Sequence, residues 1–163
     1  MPPSPVKGKG GGFTAMKTIQ KILVAVDFSE HVDPVIDTAL DFAKQFSAEL
    51  HLVHAFDVRI PLVTPYEVAI PTAFIEEARE AAASKLDALI RKVAADGITA
   101  SSHLSEVPAA SAIVDLAEEL GVDLIVMGTR GHTGLKHVLL GSVAERTLRH
   151  ARCSVLTVKA CHG

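Results

Sequence analysis

The chain has 163 residues, of which 48% are hydrophobic and 21% charged, and its net charge is −3. This length suits one domain with a sizeable core, and the composition is ordinary for a globular protein in water. No apolar run reaches the roughly 18 residues of a membrane span and no signal-peptide core is found, which predicts a cytoplasmic protein with no membrane partner. The acidic balance, the single Tyr and the lack of Trp argue against nucleic acid as the main ligand.

Strand and helix patterns alternate along most of the chain. Residues 1–18 are predicted to be a flexible N-terminal lead because their Pro and Gly runs offer little apolar surface to bury, and residues 19–160 are predicted to form a single domain. Continuous apolar runs predict strands buried on both faces, and apolar residues at helical spacing predict the helices between them. The predicted elements are strands at 22–26, 49–56, 98–104, 122–127 and 154–159, and helices at 32–46, 72–95, 108–120 and 143–150.

Proline and glycine mark the breaks between these elements. Three prolines make residues 57–71 a predicted irregular loop, while Gly97 and Gly121 are predicted to close two helices. Five strands alternating with four helices indicate right-handed crossovers. The predicted fold is therefore α/β: a Rossmann-like, open, doubly wound, mainly parallel five-stranded sheet, with the third and fifth strands at its edges.

A glycine motif follows the fourth predicted strand. Gly128-Thr129-Arg130-Gly131 is followed by nine residues and then by Gly141-Ser142, where a helical pattern begins. Glycine lets backbone amides approach an anion, and a helix start adds free N–H groups and a positive dipole end. The motif is thus a candidate phosphate cradle. The alternatives are that the glycines only shape a tight turn and that Ser142 only caps the helix.

Charge and topology point to the same segment. Residues 128–163 carry +5, so the remainder carries −8, and positive charge gathers where the glycine motif lies. Ligands of doubly wound sheets bind beyond the carboxyl ends of the strands, where strand order reverses. If the first and fourth strands are neighbours there, Asp27 and Gly128 face one crevice, although Asp27 could instead cap the first helix.

For several polar residues, the sequence leaves open whether they bind a ligand or have a structural role. Arg130, His132, Lys136 and His137 are either phosphate contacts or ordinary surface charge. His51 and His54 alternate with apolar residues along a strand, which favours packed or hydrogen-bonded histidines over metal ligands. Cys153 and Cys161 show no metal-ligand spacing and are predicted to be reduced thiols.

Three segments together resemble the universal stress protein family. They are Val-Ala-Val-Asp27-Phe-Ser, Leu-Val-His54-Ala and Met-Gly-x2-Gly-x9-Gly-Ser, which occur in the family's order between Lys17 and Lys159. Members with this glycine pattern typically bind ATP, so the resemblance implies the ATP-binding branch of the family. One departure is Ala25-Val26, where some relatives have Pro-Thr, and this change should alter packing around the base.

The resemblance also implies a binding site. Asp27 would hydrogen-bond the nucleoside, the Ala55 backbone would meet the adenine edge, and the Ser142 hydroxyl would donate to a phosphate. A divalent metal, Mg²⁺ or Mn²⁺, would be held mainly by phosphates and water. The candidate cofactor-binding residues are Ala25, Val26, Asp27, Ala55, Met127, Gly128, Arg130, Gly131, His132, Gly141, Ser142 and Val143.

The chain lacks the motifs of a dedicated ATP-consuming enzyme. Neither a Walker B segment nor a kinase catalytic set is present, and His132 is the candidate base in the motif loop. Together with these missing motifs, the resemblance implies an ATP-binding stress-response protein acting as a nucleotide-dependent switch, with at most slow hydrolysis. The alternatives are a nucleotide-hydrolysing or nucleotidyl-transferring enzyme and an interaction protein that binds no nucleotide. An apolar edge strand, Ser154–Lys159, invites pairing, and the resemblance implies a homodimer there.

Overall fold

The computed structural model describes residues 18–56, 72–129 and 140–159. All nine predicted elements lie within these ranges, whereas the predicted lead before residue 18 and the predicted loop at 57–71 lie outside them. The elements are β1 Lys21–Ala25, α1 Val32–Phe46, β2 Glu49–Ala55, α2 Thr72–Ala95, β3 Ala100–Ser105, α3 Ala109–Leu120, β4 Leu124–Gly128, α4 Ser142–His150 and β5 Ser154–Val158.

The five strands form one parallel sheet in the order β3-β2-β1-β4-β5. Strand order reverses between β1 and β4, which are neighbours with Ala25 opposite Met127. The fold class predicted from the sequence is confirmed, and so are the edge positions of β3 and β5. The carboxyl ends of β1 and β4 therefore open onto the same edge of the sheet, at the switch point.

Each face of the sheet carries its own apolar layer, because successive residues of a strand point to opposite faces. On one face Val24 and Leu52 pack with α1 and α2 residues such as Ile36 and Leu86. The other face is covered by α3 and α4, with Leu23, Val53 and Ile125 among the strand residues and Ile113, Ala117 and Ala144 among the helix residues. Burial on both faces explains the continuous apolar runs of the central strands.

Backbone geometry sets the ends of several elements. Gly121 ends α3 and Gly97 follows α2, both with positive φ, which agrees with their predicted capping roles. Pro108 lies at the N-cap of α3, one residue before the helix begins. β4 begins at Leu124, two residues later than predicted, and the Asp123 carboxylate just before it accepts the backbone N–H groups of Gln20 and Lys21. Within the described ranges, every helix is too short or too polar to cross a bilayer.

Candidate functional site

A cleft lies beyond the carboxyl ends of the central strands, at the switch point between β1 and β4. Its cavity volume is about 150 Å³. Arg130, Gly131 and His132 lie outside the described residues. The other nine predicted site residues all line this cleft: Ala25, Val26, Asp27, Ala55, Met127, Gly128, Gly141, Ser142 and Val143.

The two halves of the glycine motif meet at one point of the cleft wall. The Gly141 N–H donates to the Thr129 carbonyl at 2.7 Å, which joins the start of α4 to the end of β4. The Thr129 N–H in turn donates to the Val158 carbonyl at 3.1 Å, which fixes this point to β5. Residues far apart along the motif are thereby held side by side on the rigid end of the sheet.

The start of α4 presents backbone donors to the cleft. Gly141 is the N-cap residue, with φ −73° and ψ 160°, and Ser142 is the first helical residue. The first N–H of this helix to find a helical partner is that of Glu145, which donates to the Gly141 carbonyl at 2.9 Å. The reading of Ser142 as the helix cap is wrong, because Gly141 holds that position and makes no side-chain bond. The N–H groups before Glu145 and the positive end of the helix dipole suit an anion.

Asp27 lies in the loop between β1 and α1 and lines the cleft. Its Oδ1 accepts the Ser29 N–H at 3.0 Å, which holds the carboxylate in a tight turn. The alternative that Asp27 caps α1 is wrong, since His31 is the N-cap residue of that helix. The carboxylate therefore belongs to the wall of the cleft rather than to the helix end.

A tilted pair of rings, Phe28 and His54, packs beside the same loop. Phe28 has a left-handed backbone, with φ +56°, and its ring lies 4.3 Å from that of His54 between centroids. The His54 ring also shares a hydrogen bond with the Val26 carbonyl, with Nδ1 at 2.8 Å, so its Nδ1–H donates. Lys85 Nζ lies 5.4 Å from the Phe28 ring centre, in cation–π range. His54 is thus a packed, hydrogen-bonded histidine, as predicted, and it steadies the loop that carries Asp27.

The structure adds lining residues that sequence reasoning missed. Ser29 and His31 follow Asp27 in the same loop, and Thr129 follows Gly128, so proximity to predicted residues could have found them. Ala109, at the start of α3, had no such signal because only the crossover of α3 brings it to the cleft. In the described parts of the chain, no three His, Cys, Asp or Glu side chains gather in a way that could hold a metal ion.

Fold and cleft together define an open α/β protein with a crevice at its switch point. The chain belongs to the universal stress protein family, since the family's sequence profile matches residues 18–159. A universal stress protein of Methanocaldococcus jannaschii is 37% identical over 145 residues, which cover 86% of this chain and 82% of the relative. Universal stress protein YxiE of Bacillus subtilis is 33% identical, covering 85% and 98% of the two chains.

Solved structures share the fold. That of the hypothetical protein MJ0577 matches with a TM-score of 0.78 and 30% identity, covering 90% of this chain and 99% of its own. A universal stress protein of Archaeoglobus fulgidus in complex with dAMP has a TM-score of 0.60 and 24% identity, covering 86% and 98%. A universal stress protein in complex with cAMP has a TM-score of 0.66 and 22% identity, covering 87% and 98%.

Proposed function

We propose that this protein belongs to the ATP-binding branch of its family and acts as a nucleotide-dependent switch in a stress response. The observation that carries the proposal is the 2.7 Å bond between Gly141 and Thr129, which brings both ends of the glycine motif to the cleft at the switch point. A phosphate chain would there meet glycine backbone and the start of α4 at once. The positive charge of residues 128–163 favours the same anion.

The residues that line the cleft form an apolar group and a hydrogen-bonding group, which suits the two ends of a nucleotide. Ala25, Val26, Ala55 and Met127 supply apolar surface for the adenosine end, and glycines and Ser142 supply donors for the phosphates. Asp27 would accept a hydrogen bond from the nucleoside. It is the only carboxylate among the described lining residues. A Mg²⁺ or Mn²⁺ ion would therefore be held mainly by phosphates and water. The dAMP and cAMP complexes of the same fold support an adenine nucleotide as the ligand class.

The first test identifies the ligand directly. Protein purified without added nucleotide is denatured, and the released small molecules are analysed by mass spectrometry. We expect ATP or another adenine nucleotide, and stripped protein should gain thermal stability with ATP and Mg²⁺ because a ligand that binds only the folded state stabilises it. The absence of both a co-purified nucleotide and a thermal shift would refute the proposal.

Variants of the motif test the cradle. Gly141→Val adds bulk to the cleft at a residue whose φ of −73° tolerates a side chain, so its effect is steric, and we expect ATP binding to be lost in calorimetry. Ser142→Ala should weaken binding about tenfold, the size of one hydrogen bond to a charged group. The matched control is Ser154→Ala, an exposed serine at the amino end of β5. Unchanged ATP affinity in both motif variants would show that the motif is only a turn.

The alternative is a nucleotide-hydrolysing enzyme, and one described residue favours it. His31 lines the cleft and its side chain is 22% exposed, so it could act as a base toward water, as could His132. Steady phosphate release well above one per minute (a rough threshold, low against typical turnover) that disappears in His31→Ala or His132→Ala would support the enzyme. Slow release that neither variant changes would support the switch.

We further propose that the protein is cytoplasmic and forms a homodimer through β5, with residues 19–160 acting as one domain. β5 is an edge strand, and Val155, Leu156 and Val158 give it an apolar character. The edge strand β3 is instead rich in serine, with the sequence ASSHLS. An exposed strand edge is a template for pairing, and the apolar edge is the one that gains more by being covered.

A further inference from the structure

Two histidines meet across β2 and β3, on the face of the sheet that α3 covers. His51 lies opposite Ser101 in the strand register, and His103 lies two residues beyond Ser101 on the same face. His51 is four residues before Ala55, the β2 residue that lines the cleft. At about 3.3 Å per strand residue, the histidine pair lies roughly 13 Å from the cleft. It is a separate feature of the molecule.

Three polar atoms converge at this point. His51 Nδ1 is 2.7 Å from Ser101 Oγ and 3.3 Å from His103 Nε2, and Ser101 Oγ is 3.3 Å from His103 Nε2. The other nitrogen of His51, Nε2, is 3.2 Å from Glu49 Oε1 and donates its hydrogen there. His51 Nδ1 of a neutral ring therefore has a lone pair directed at Ser101 and His103. His51 Nδ1, Ser101 Oγ and His103 Nε2 therefore carry at most two hydrogen atoms between them.

The separation of the two ring nitrogens matches that of two ligands on one metal ion. Two ligands that each lie about 2.0–2.1 Å from a tetrahedral ion are about 3.3–3.4 Å apart, which is the separation of the two ring nitrogens. A carboxylate on the far nitrogen of a metal-binding histidine is a common supporting contact, and Glu49 makes it here. The site is half-buried rather than sealed, since Ser101 and His103 keep partial exposure and β3 is an edge strand.

Burial favours the neutral, ligating form of the His103 ring. Burial, and then the proximity of His51, lower the pKa of His103, against a smaller rise from Glu119 on α3. Glu49 and Glu119 are the carboxylates near the pair, and Lys21 Nζ lies 3.6 Å from Glu49 Oε1 and also donates to the Leu120 carbonyl. A dication placed between the rings would face two carboxylates and one ammonium group.

We propose that His51 and His103 bind a divalent transition metal ion of the Zn²⁺ class, through Nδ1 and Nε2 respectively. Water completes the coordination, and the ion links edge strand β3 to β2. Only two histidines take part, so the site is weaker than a closed structural zinc site with four protein ligands. It is independent of the nucleotide proposal and of the residues that line the cleft.

The test is a titration of Zn²⁺ into the full chain, freed of metal and nucleotide, followed by calorimetry. We expect saturable one-to-one binding at pH 7.5 that weakens at pH 5.5, because protons compete for the ring nitrogens. His51→Gln and His103→Gln should each weaken binding at least tenfold, and Glu49→Gln about tenfold, the lower end of the loss for a supporting contact. A fixed concentration of Zn²⁺ should raise the melting temperature of the parent protein more than that of His51→Gln or His103→Gln.

The matched control is His150→Gln, an exposed histidine on α4 whose Nδ1 donates to the Arg146 carbonyl. It should leave Zn²⁺ affinity unchanged, and all variants are compared by circular dichroism so that only folded proteins are titrated. If His51→Gln unfolds, His103→Gln on the edge strand still decides the matter. Zn²⁺ affinity that is the same in parent protein and His103→Gln, or the absence of saturable binding, would overturn the proposal. ATP binding in the His103→Gln variant should be that of the parent.

Discussion

At the scale of single residues, Thr147 combines complete burial with an unsatisfied hydroxyl. Its side chain is fully buried on α4, and its Oγ1 finds no hydrogen-bond partner among the described residues. A buried donor without a partner costs about 1–3 kcal/mol in desolvation. Thr147→Val keeps the branched shape and removes the hydroxyl, so we expect the free energy of unfolding to rise by about 1 kcal/mol in denaturant titrations.

The control for this substitution is Thr38→Val on α1. Thr38 Oγ1 donates to the Pro34 carbonyl at 2.7 Å in an exposed setting, so the same change there should be neutral or slightly destabilising. A loss of stability in Thr147→Val would show that the hydroxyl has a partner after all. ATP affinity should be unchanged, since Thr147 does not line the described part of the cleft.

Residue types and their positions predicted much of the candidate site, and the residues that were missed depend on the tertiary structure. Asp27, Gly128 and Gly141 could be found because each stands where a strand or helix pattern stops. Ala109 could not, since its place in the cleft depends on how α3 crosses the sheet. The pairing of His51 with His103 joins residues 52 positions apart, and only the register of β2 and β3 brings them together.

At the scale of elements, helix bounds were predicted better than strand bounds. α1 and α2 have the predicted bounds, because the apolar stripe and the breaks beside it are local properties of a helix. β3 begins at Ala100 instead of residue 98, and β4 at Leu124 instead of residue 122. The bounds of a strand depend on hydrogen bonds with its neighbours, which are distant in the sequence. At the start of β4, for example, the Asp123 carboxylate accepts the backbone N–H of Lys21.

The end of α1 offers a test of helix termination. Ser47 is its C-cap residue and has a left-handed backbone, with φ +55°, which costs an L-residue roughly 1–2 kcal/mol. Ser47→Gly removes that strain but adds freedom to the unfolded chain, so we expect a net gain of about 0.5–1 kcal/mol in the free energy of unfolding. Thermal and denaturant unfolding measure it.

The same substitution inside a helix should have the opposite sign. Ser84 lies exposed in the middle of α2, where Ser84→Gly should destabilise by about 0.5 kcal/mol through helix propensity alone. Equal effects at both positions would contradict the assignment of strain to Ser47. The pair isolates backbone geometry, because the side chain removed is identical in both variants.

At the scale of the whole molecule, charge is distributed unevenly along the chain, and the two edge strands differ in polarity. The segment from Gly128 onward carries +5 while the remainder carries −8, and that segment contains β5 as well as the glycine motif. Two copies joined through β5 would bring two positive segments together, so bound polyphosphate would offset their repulsion. Nucleotide binding and the proposed dimer are therefore expected to be favourable to each other.

The backbone of β5 shows how to test that dimer. The Val158 carbonyl accepts from the N–H of Thr129, the residue that follows β4, so the backbone groups of Leu156 and Val158 face inward and those of Val155 and Thr157 face the open edge. Thr157→Pro removes an outward N–H and keeps the bonds to β4, and proline is tolerated on edge strands. We expect sedimentation to show a dimer for the parent chain and a folded monomer for Thr157→Pro.

Two further variants make the result specific to the strand edge. Leu156→Pro removes an inward N–H and its side chain packs against the core, so it should unfold the protein instead of only separating the copies. Thr157→Val keeps the outward N–H and should remain dimeric. A parent chain that sediments as a monomer, or a Thr157→Pro variant that stays dimeric while folded, would exclude pairing through β5. The positive segments of two paired copies would repel each other, and bound ATP would reduce that repulsion. The parent dimer should therefore have a lower dissociation constant with ATP bound than without it.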